Sequence, residues 1–416
     1  MEKINNLDIK DLTNQFGSPL YVYDSDRIEA NYKRLKTALT DHYPNNNIHF
    51  SVKANSNLSI LDIFRRNGSG ADCSSPTELR LALMAGFDRE DILYTGNYES
   101  YEDLEYVSSI KGIKLNLDDI TSLERILKFG VPERISFRIN PGIGRGGFEG
   151  ITTAGSDAKF GIPYEKAAEA YKMALDAGVK RFGIHMMTGS NNLEPYYFAE
   201  VVDKLLIIAG DIFPELGIKP EFIDIGGGQG IPYRDDEDPL NVDLMAKLIA
   251  KIIKERCQSY DFGLPQLLLE PGRYLAADAG YLIAKVTGIK NGYKKFIGLD
   301  AGMGTLVRQS LYGAFHRMEV YGKNSDFENV NICGQICENS DIFAKNIRLP
   351  KMDIGDLVTF KDTGAYGFVM SSVYNNRTRP AEVLIENGKP ILIRKRESFD
   401  DILRLYPEEI LQKYNS

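Results

Sequence analysis

Short apolar runs alternate along this chain with longer segments whose apolar positions recur at helical spacing. The runs predict strands at Ile48–Lys53, Gly70–Ser74, Ile92–Thr95, Ile113–Leu117, Arg134–Ile139, Phe182–Met187, Phe222–Ile225 and Gln266–Leu269. The segments between them, such as Arg27–Ala38 and Asn57–Asn67, predict helices. Strands joined in this way by helices have the periodicity of a (β/α)8 TIM barrel, and a doubly wound α/β sheet is the competing arrangement. The polar positions separate the two. Strand after strand ends in a chemically useful group: Lys53, Asp72, Thr95, Arg138 with Asn140, His185, Gly226–Gly228 and Glu270. A barrel brings such ends to one mouth, whereas an open sheet gathers them at a single crevice. The distribution favours the barrel.

The flanks read differently. Before about Tyr23 the pattern predicts a short helix with a glycine stop, then a strand at Pro19–Tyr23. After about Arg273 the segments become β-rich, at Lys295–Asp300, Val330–Cys337 and Asp356–Thr363. Asn387-Gly388 sits between two alternating runs as a hairpin turn, and Ser398–Tyr414 reads as a terminal helix. The expected organisation is a barrel over residues 26–275. Residues 1–25 and 276–416 then form an all-β C-terminal domain.

Composition narrows the function. The 416 residues are 43% hydrophobic and 26% charged, with a net charge of −8, and the basic residues form no arm or stripe, so nucleic acid is not expected as a partner. The opening Met-Glu-Lys-Ile-Asn-Asn lacks the apolar core of a signal peptide, and no stretch has the length of a membrane span. Four cysteines in so long a chain are no disulfide framework, and a reducing, cytoplasmic setting is the expectation. Cys333 and Cys337 have no second close Cys/His pair to complete a zinc site, so no metal is expected.

Lys53 at the end of an apolar strand is costly to bury as an ammonium. It either reaches water or, once desolvated, loses its proton and attacks a carbonyl to form a Schiff base. Asp224-Ile-Gly226-Gly227-Gly228-Gln-Gly230 ends a strand in glycines whose N–H groups can cradle a phosphate, or simply makes a tight turn. Glu270-Pro-Gly272-Arg273 offers a carboxylate for a protonated ring nitrogen and an arginine for an anion, or an internal ion pair around the turn. In His185-Met-Met187-Thr-Gly-Ser190 the Gly-Ser pair offers an N–H and a hydroxyl to a phosphate, while His185 reads equally as a core histidine. His42, His49 and His316 have less suggestive settings. Cys337-Glu338 pairs an acid with a recognition group, against the reading of a buried cysteine and a surface turn.

Several motifs in register then carry a resemblance. Val52-Lys53-Ala-Asn, Gly70-Ala-Asp72-Cys-Ser-Ser, Ile225-Gly-Gly-Gly228, Glu270-Pro-Gly-Arg273, Asp300-Ala-Gly-Met303, Cys337-Glu338-Asn-Ser-Asp341, Gly364-Ala-Tyr366-Gly and Tyr374-Asn-Asn-Arg377 follow one another in a known order. That order resembles the fold-type III (alanine racemase-like) pyridoxal phosphate decarboxylases, and most closely the diaminopimelate decarboxylases, over nearly the whole chain. The resemblance implies pyridoxal 5'-phosphate carried by Lys53 as a Schiff base. It implies cofactor contacts from Ser190, Gly226, Gly227, Gly228, Glu270 (at the pyridine nitrogen), Gly272 and Arg273, with Asp72, Arg138 and His185 in support. Arg273, Arg308, Tyr312, Glu338 and Tyr366 match substrate positions, Tyr366 also a cofactor one, and Cys337 matches the proton donor. The Cys337–Glu338 pair is expected from the partner subunit of a homodimer with shared active sites.

This chain also departs from the family. Met187 stands where a ring-stacking histidine is usual, and Asn376-Arg-Thr-Arg-Pro380 replaces Ser-Arg-Pro-Arg-Pro. The expected reaction is decarboxylation of meso-2,6-diaminopimelate to L-lysine. The alternatives are a decarboxylase for another diamino acid or a carrier-linked aminoacyl group, an amino-acid racemase, and a non-enzymatic cofactor-binding protein.

Overall fold

The computed structural model describes residues 1–142, 155 and 158–414, which divide into two compact units. One is Ile28–Ala276. The other joins Met1–Arg27 to Ala277–Ser416.

The first unit is a closed barrel of parallel strands, in chain order Asn46–Ser51, Gly70–Cys73, Ile92–Tyr94, Lys114–Leu117, Arg134–Phe137, Arg181–His185, Pro220–Asp224 and Gln266–Leu269. The last strand pairs with the first, Leu268 opposite Asn47, so the doubly wound alternative is excluded. The first strand pairs with the second in a register that sets Ser51 beside Asp72. Helices begin where the sequence supplies caps. Asn57 accepts from the Ser59 N–H, Ser75 caps a helix that opens on Pro76, and Ser100 with Asp103 forms a capping box. Behind the first strand, Phe50 stacks on Phe64 with ring centroids 3.8 Å apart.

Several strands stop earlier than the pattern predicts. The first ends at Ser51, and Val52–Ala54 is a single 3-10 turn that lifts Lys53 off the strand. The sixth ends at His185, so Met187 lies in the loop beyond it. Apolarity extends past the last ladder bond because the barrel mouth is itself buried, and hydrophobic pattern alone does not mark where pairing stops.

The second unit is a nine-stranded sheet system. Its longest strand, Gly280–Asn291, was not among those predicted from the sequence, because its apolar first half reads equally as helix or strand. That half pairs with Leu20–Asp24 and Leu357–Phe360, the second half with Lys295–Leu299. Leu20–Asp24 also pairs in parallel with Ala381–Glu386, which draws the N-terminal segment into the core of Ile4, Ile9, Leu12, Val22, Ile283 and Val383. The Asn387-Gly388 hairpin forms as expected between Ala381–Glu386 and Lys389–Arg394. The terminal segment is two short helices, Phe399–Leu403 and Glu408–Tyr414, rather than one, since Pro407 cannot continue the first.

His49, in the first barrel strand, is buried with neither ring nitrogen hydrogen-bonded among the described residues, and burial followed by the Lys114 charge pushes it down from 6.5 to about 3. The unfolded chain takes up this proton near pH 6.5 while the folded barrel refuses it until about pH 3. Stability is therefore lost as pH falls through that window, by at most about 1.4 kcal/mol per pH unit. His49→Gln should flatten this slope. Urea unfolding of both proteins at several pH values checks it, and parallel slopes would contradict a neutral buried His49.

Candidate active site

Lys53 points from its turn to Asp72, which accepts its short hydrogen bond, and Ser74 Oγ lies 3.4 Å from the same ammonium. The Ser51 hydroxyl sits 3.0 Å from Asp72 Oδ2 and 2.8 Å from the Glu270 carbonyl oxygen, so its single proton serves one acceptor at a time. Asp72 is wholly buried. Burial and then the Glu270 charge push its carboxyl up, against the pull of Lys53.

Glu270 follows the eighth strand, and its N–H donates to the Gly226 carbonyl at 2.9 Å. Burial opposes its charge, but His185 first, then Lys53 and Arg138, hold it below the usual carboxylate range. His185 Nε2 is 3.3 Å from Glu270 Oε1, close enough for an ion pair but outside hydrogen-bond geometry. Asp224, on the seventh strand, has one oxygen within 4.8 Å of both groups and accepts from the Gly226 N–H at 2.8 Å. Burial and the Glu270 charge push Asp224 well up, which favours its neutral acid. The dry interior therefore keeps Glu270 ionised and disfavours charge on Asp72 and Asp224.

The glycine run turns where a side chain has no room. Gly226 and Gly228 have φ of +67° and +96°, and a Cβ on Gly227 would lie 2.4 Å from the Glu270 carbonyl oxygen. Two backbone bonds, Asn192 N–H to Gly228 O at 2.8 Å and Gly230 N–H to Asn192 O at 3.0 Å, tie this run to the loop carrying Ser190. The Met187 thioether accepts from the Gly227 N–H at 3.2 Å, so it is turned onto the glycine run. Gly272 and Arg273 begin a buried helical turn, and Arg273 Nη1 donates to the Tyr233 hydroxyl at 2.6 Å. Arg138 is buried with its guanidinium 4.5 Å from the Phe160 ring centroid.

The remaining candidates lie on the β unit. Arg308 and Tyr312 bound one short helix. Cys337 donates its N–H to Asn375 Oδ1 at 3.0 Å, and Asn375 Nδ2 lies 3.3 Å from the Cys337 thiol. Tyr374 donates to Glu338 Oε1 at 2.6 Å. Tyr366 has a φ of +57°. The predicted residues thus form two sets, one on each unit. Asp224, Ser51, Asn375 and His316 were assigned no role from the sequence. Of these only Asp224 carried a signal, an acid placed just before a glycine run at a strand end.

Residues 25–277 match the pyridoxal-binding domain of the pyridoxal-dependent decarboxylases, and the chain is a pyridoxal phosphate-dependent carboxy-lyase. It is 42% identical to the diaminopimelate decarboxylase of Methanothermobacter thermautotrophicus over 96% of this chain and 94% of that one. Crystal structures of two enzymes of that name superpose on it. The one from M. jannaschii has a TM-score of 0.91 at 32% identity, covering 98% and 96% of the two chains. The one from Helicobacter pylori, complexed with L-lysine, has a TM-score of 0.88 at 33% identity, covering 96% and 99%. The chain belongs to the diaminopimelate decarboxylase family.

The residues present fit the cofactor. Glu270 Oε1 is buried with no hydrogen-bond donor among the described residues, which suits a protonated ring nitrogen. The glycine run excludes side chains from a backbone of the kind that binds phosphate, and Lys53 supplies the amine. Because burial and the Glu270 charge favour the neutral acid of Asp224, Asp224→Asn should keep cofactor absorbance and activity within about threefold, whereas Glu270→Gln should lose about tenfold or more. Equal losses in the two variants would overturn this division of charge.

Proposed function

We infer that the protein removes the carboxylate at the D-centre of meso-2,6-diaminopimelate, giving L-lysine and carbon dioxide, a step of lysine biosynthesis. The observation that carries this reading is the ionised Glu270 in a dry barrel mouth shared with Lys53, Asp72 and the glycine run. When bound, pyridoxal 5'-phosphate supplies a protonated ring that draws off the electron pair left as carbon dioxide departs.

The protein's own groups do the rest. Lys53 would hold the cofactor through its amine, and Asp72 is positioned to take and return a proton of that amine. Glu270 would keep a proton on the ring nitrogen, with His185 and Arg138 holding Glu270 ionised. Gly226–Gly228, Ser190, Gly272 and Arg273 would hold the phosphate, with Tyr366 as a further contact. At the reacting carbon the C–C bond to carbon dioxide breaks, its electron pair stays behind, and a proton from Cys337 replaces the lost group. The substrate keeps a second carboxylate and a second ammonium, which need fixed opposite charges. Arg308, with Tyr312 and Arg273, suits the carboxylate, and Glu338 suits the ammonium.

In this reading Cys337 and Glu338 come from the partner of a homodimer, so the β-rich domain completes both the site and the interface, and the enzyme works in the cytoplasm. Purified protein supplied with cofactor and a panel of amino acids should release carbon dioxide from meso-diaminopimelate and yield L-lysine. Turnover of lysine or ornithine but not diaminopimelate would overturn the substrate assignment. Borohydride reduction followed by peptide mapping should place the cofactor on Lys53, and a label on any other lysine would contradict the site.

A further inference from the structure

Cys337 and Asn375 meet twice. The Cys337 N–H donates to Asn375 Oδ1 at 3.0 Å, and Asn375 Nδ2 donates to the Cys337 sulfur at 3.3 Å. The first bond settles which way the amide faces, because only its oxygen can accept from a backbone N–H. The second therefore sets a donor on the sulfur. Among the described residues no group accepts the thiol proton itself.

Local structure fixes both partners. Cys337 lies in the turn between the strands Phe327–Cys333 and Ile342–Pro350. Buried Asp341 shapes that turn, accepting from the Ile336 N–H at 2.7 Å and from the Met303 N–H at 2.6 Å. A Cβ on Gly334 would collide with the Asp341 carboxylate, so the turn closes only on glycine. Asn375 sits in the 3-10 turn Tyr374–Asn376 with φ of 57° and ψ of 23°, a left-handed conformation that asparagine adopts more readily than most residues. Beside it Tyr374 donates to Glu338 at 2.6 Å, so two successive side chains hold two successive residues. Cys337 and Asn375 are both exposed on this chain, and their pairing forms without a partner to cover it.

We propose that Asn375 is a positioning residue that aims the Cys337 thiol and steadies the sulfur as its proton leaves for the reacting carbon. In that step the S–H bond breaks, and a C–H bond forms with the electron pair left by carbon dioxide. The sulfur keeps the S–H pair as a thiolate and regains a proton from water. An amide N–H bonds a thiolate more strongly than a thiol, so Asn375 contributes most in the transition state of the transfer. The proposal rests on the reading of Cys337 as proton donor, and its test separates the two.

Asn375→Asp preserves an acceptor for the Cys337 N–H and tolerates the left-handed backbone, but it sets a carboxylate on the sulfur in place of a donor. Asn375→Gly keeps the backbone conformation and loses both contacts. Carbon dioxide departs before the proton arrives and does not return, so a slower proton lowers kcat and leaves kcat/KM intact. In the holoenzyme, Asn375→Asp should lower kcat about tenfold with kcat/KM changed less than about threefold, and the solvent deuterium effect on kcat should rise. Asn375→Gly should fall at least as far. If Asn375→Asp matches the unaltered protein while Asn375→Gly falls, the side chain only anchors the backbone and the proposal is overturned. An equal loss in kcat and kcat/KM would mark a displaced substrate or general damage, and also overturns it. Cys337→Ala is measured alongside. If it loses kcat and Asn375→Asp does not, the role of Cys337 stands and the proposal falls. If Cys337→Ala keeps kcat, the reading of Cys337 fails and the proposal with it.

Discussion

Charge in a dry barrel is the constraint on which the rest of this structure depends. Asp72, Asp224 and Glu270 are wholly buried near one another, with Lys53, Arg138 and His185 as their cationic or protonatable neighbours. Removing an ion from water costs several kcal/mol or more even after relaxation, on the order of the whole stability of a domain. The interior meets this by ionising selectively. Burial and mutual repulsion drive Asp72 and Asp224 up, and the cations hold Glu270 down. Glu270 thereby keeps a negative charge in the mouth, and its Oε1 meets no hydrogen-bond donor among the described residues.

The opposite end of the same strands shows the contrast. Lys114 and Arg134 start the fourth and fifth strands, and Arg134 pairs with Glu90 and Glu221, with Arg181 on Glu221 as well. Burial and the Arg134 charge lower Lys114 to about 8. These charges answer one another within the chain. Parallel strands give a barrel two unlike rims, and here ion pairs cross the starting rim while Glu270 at the finishing rim keeps one oxygen with no donor among the described residues.

The β unit holds its candidate side chains by hydrogen bonds from elsewhere in the unit. The Asn375 amide brackets Cys337, Tyr374 donates to Glu338, and Arg308 lies 2.8 Å from the His316 imidazole. Such bonds fix the orientation of a side chain that its own position on the backbone would leave free.

The barrel, the β-rich tail and the residues at the strand ends were legible in the sequence, because strand period and helix caps are local properties. Lys53, Glu270 and the glycine run stood out as residue types that cost something where the pattern placed them. Where each strand stops was not legible, since a buried mouth stays apolar beyond its last ladder bond. Nor were the raised carboxyls of Asp72 and Asp224, which follow from burial and from the nearby Glu270 charge rather than from neighbours along the chain. His316 had no signature at all. Its partners are eight residues before it and forty-five after it, and only the Gly313 turn and the strand pairing behind Lys361 bring them to one ring. The sequence by itself determined which chemistry this chain can hold. Tertiary structure alone decided which groups are charged and which are held still, because electrostatic energy depends on distance through space and on the exclusion of water, and neither is set by separation along the chain.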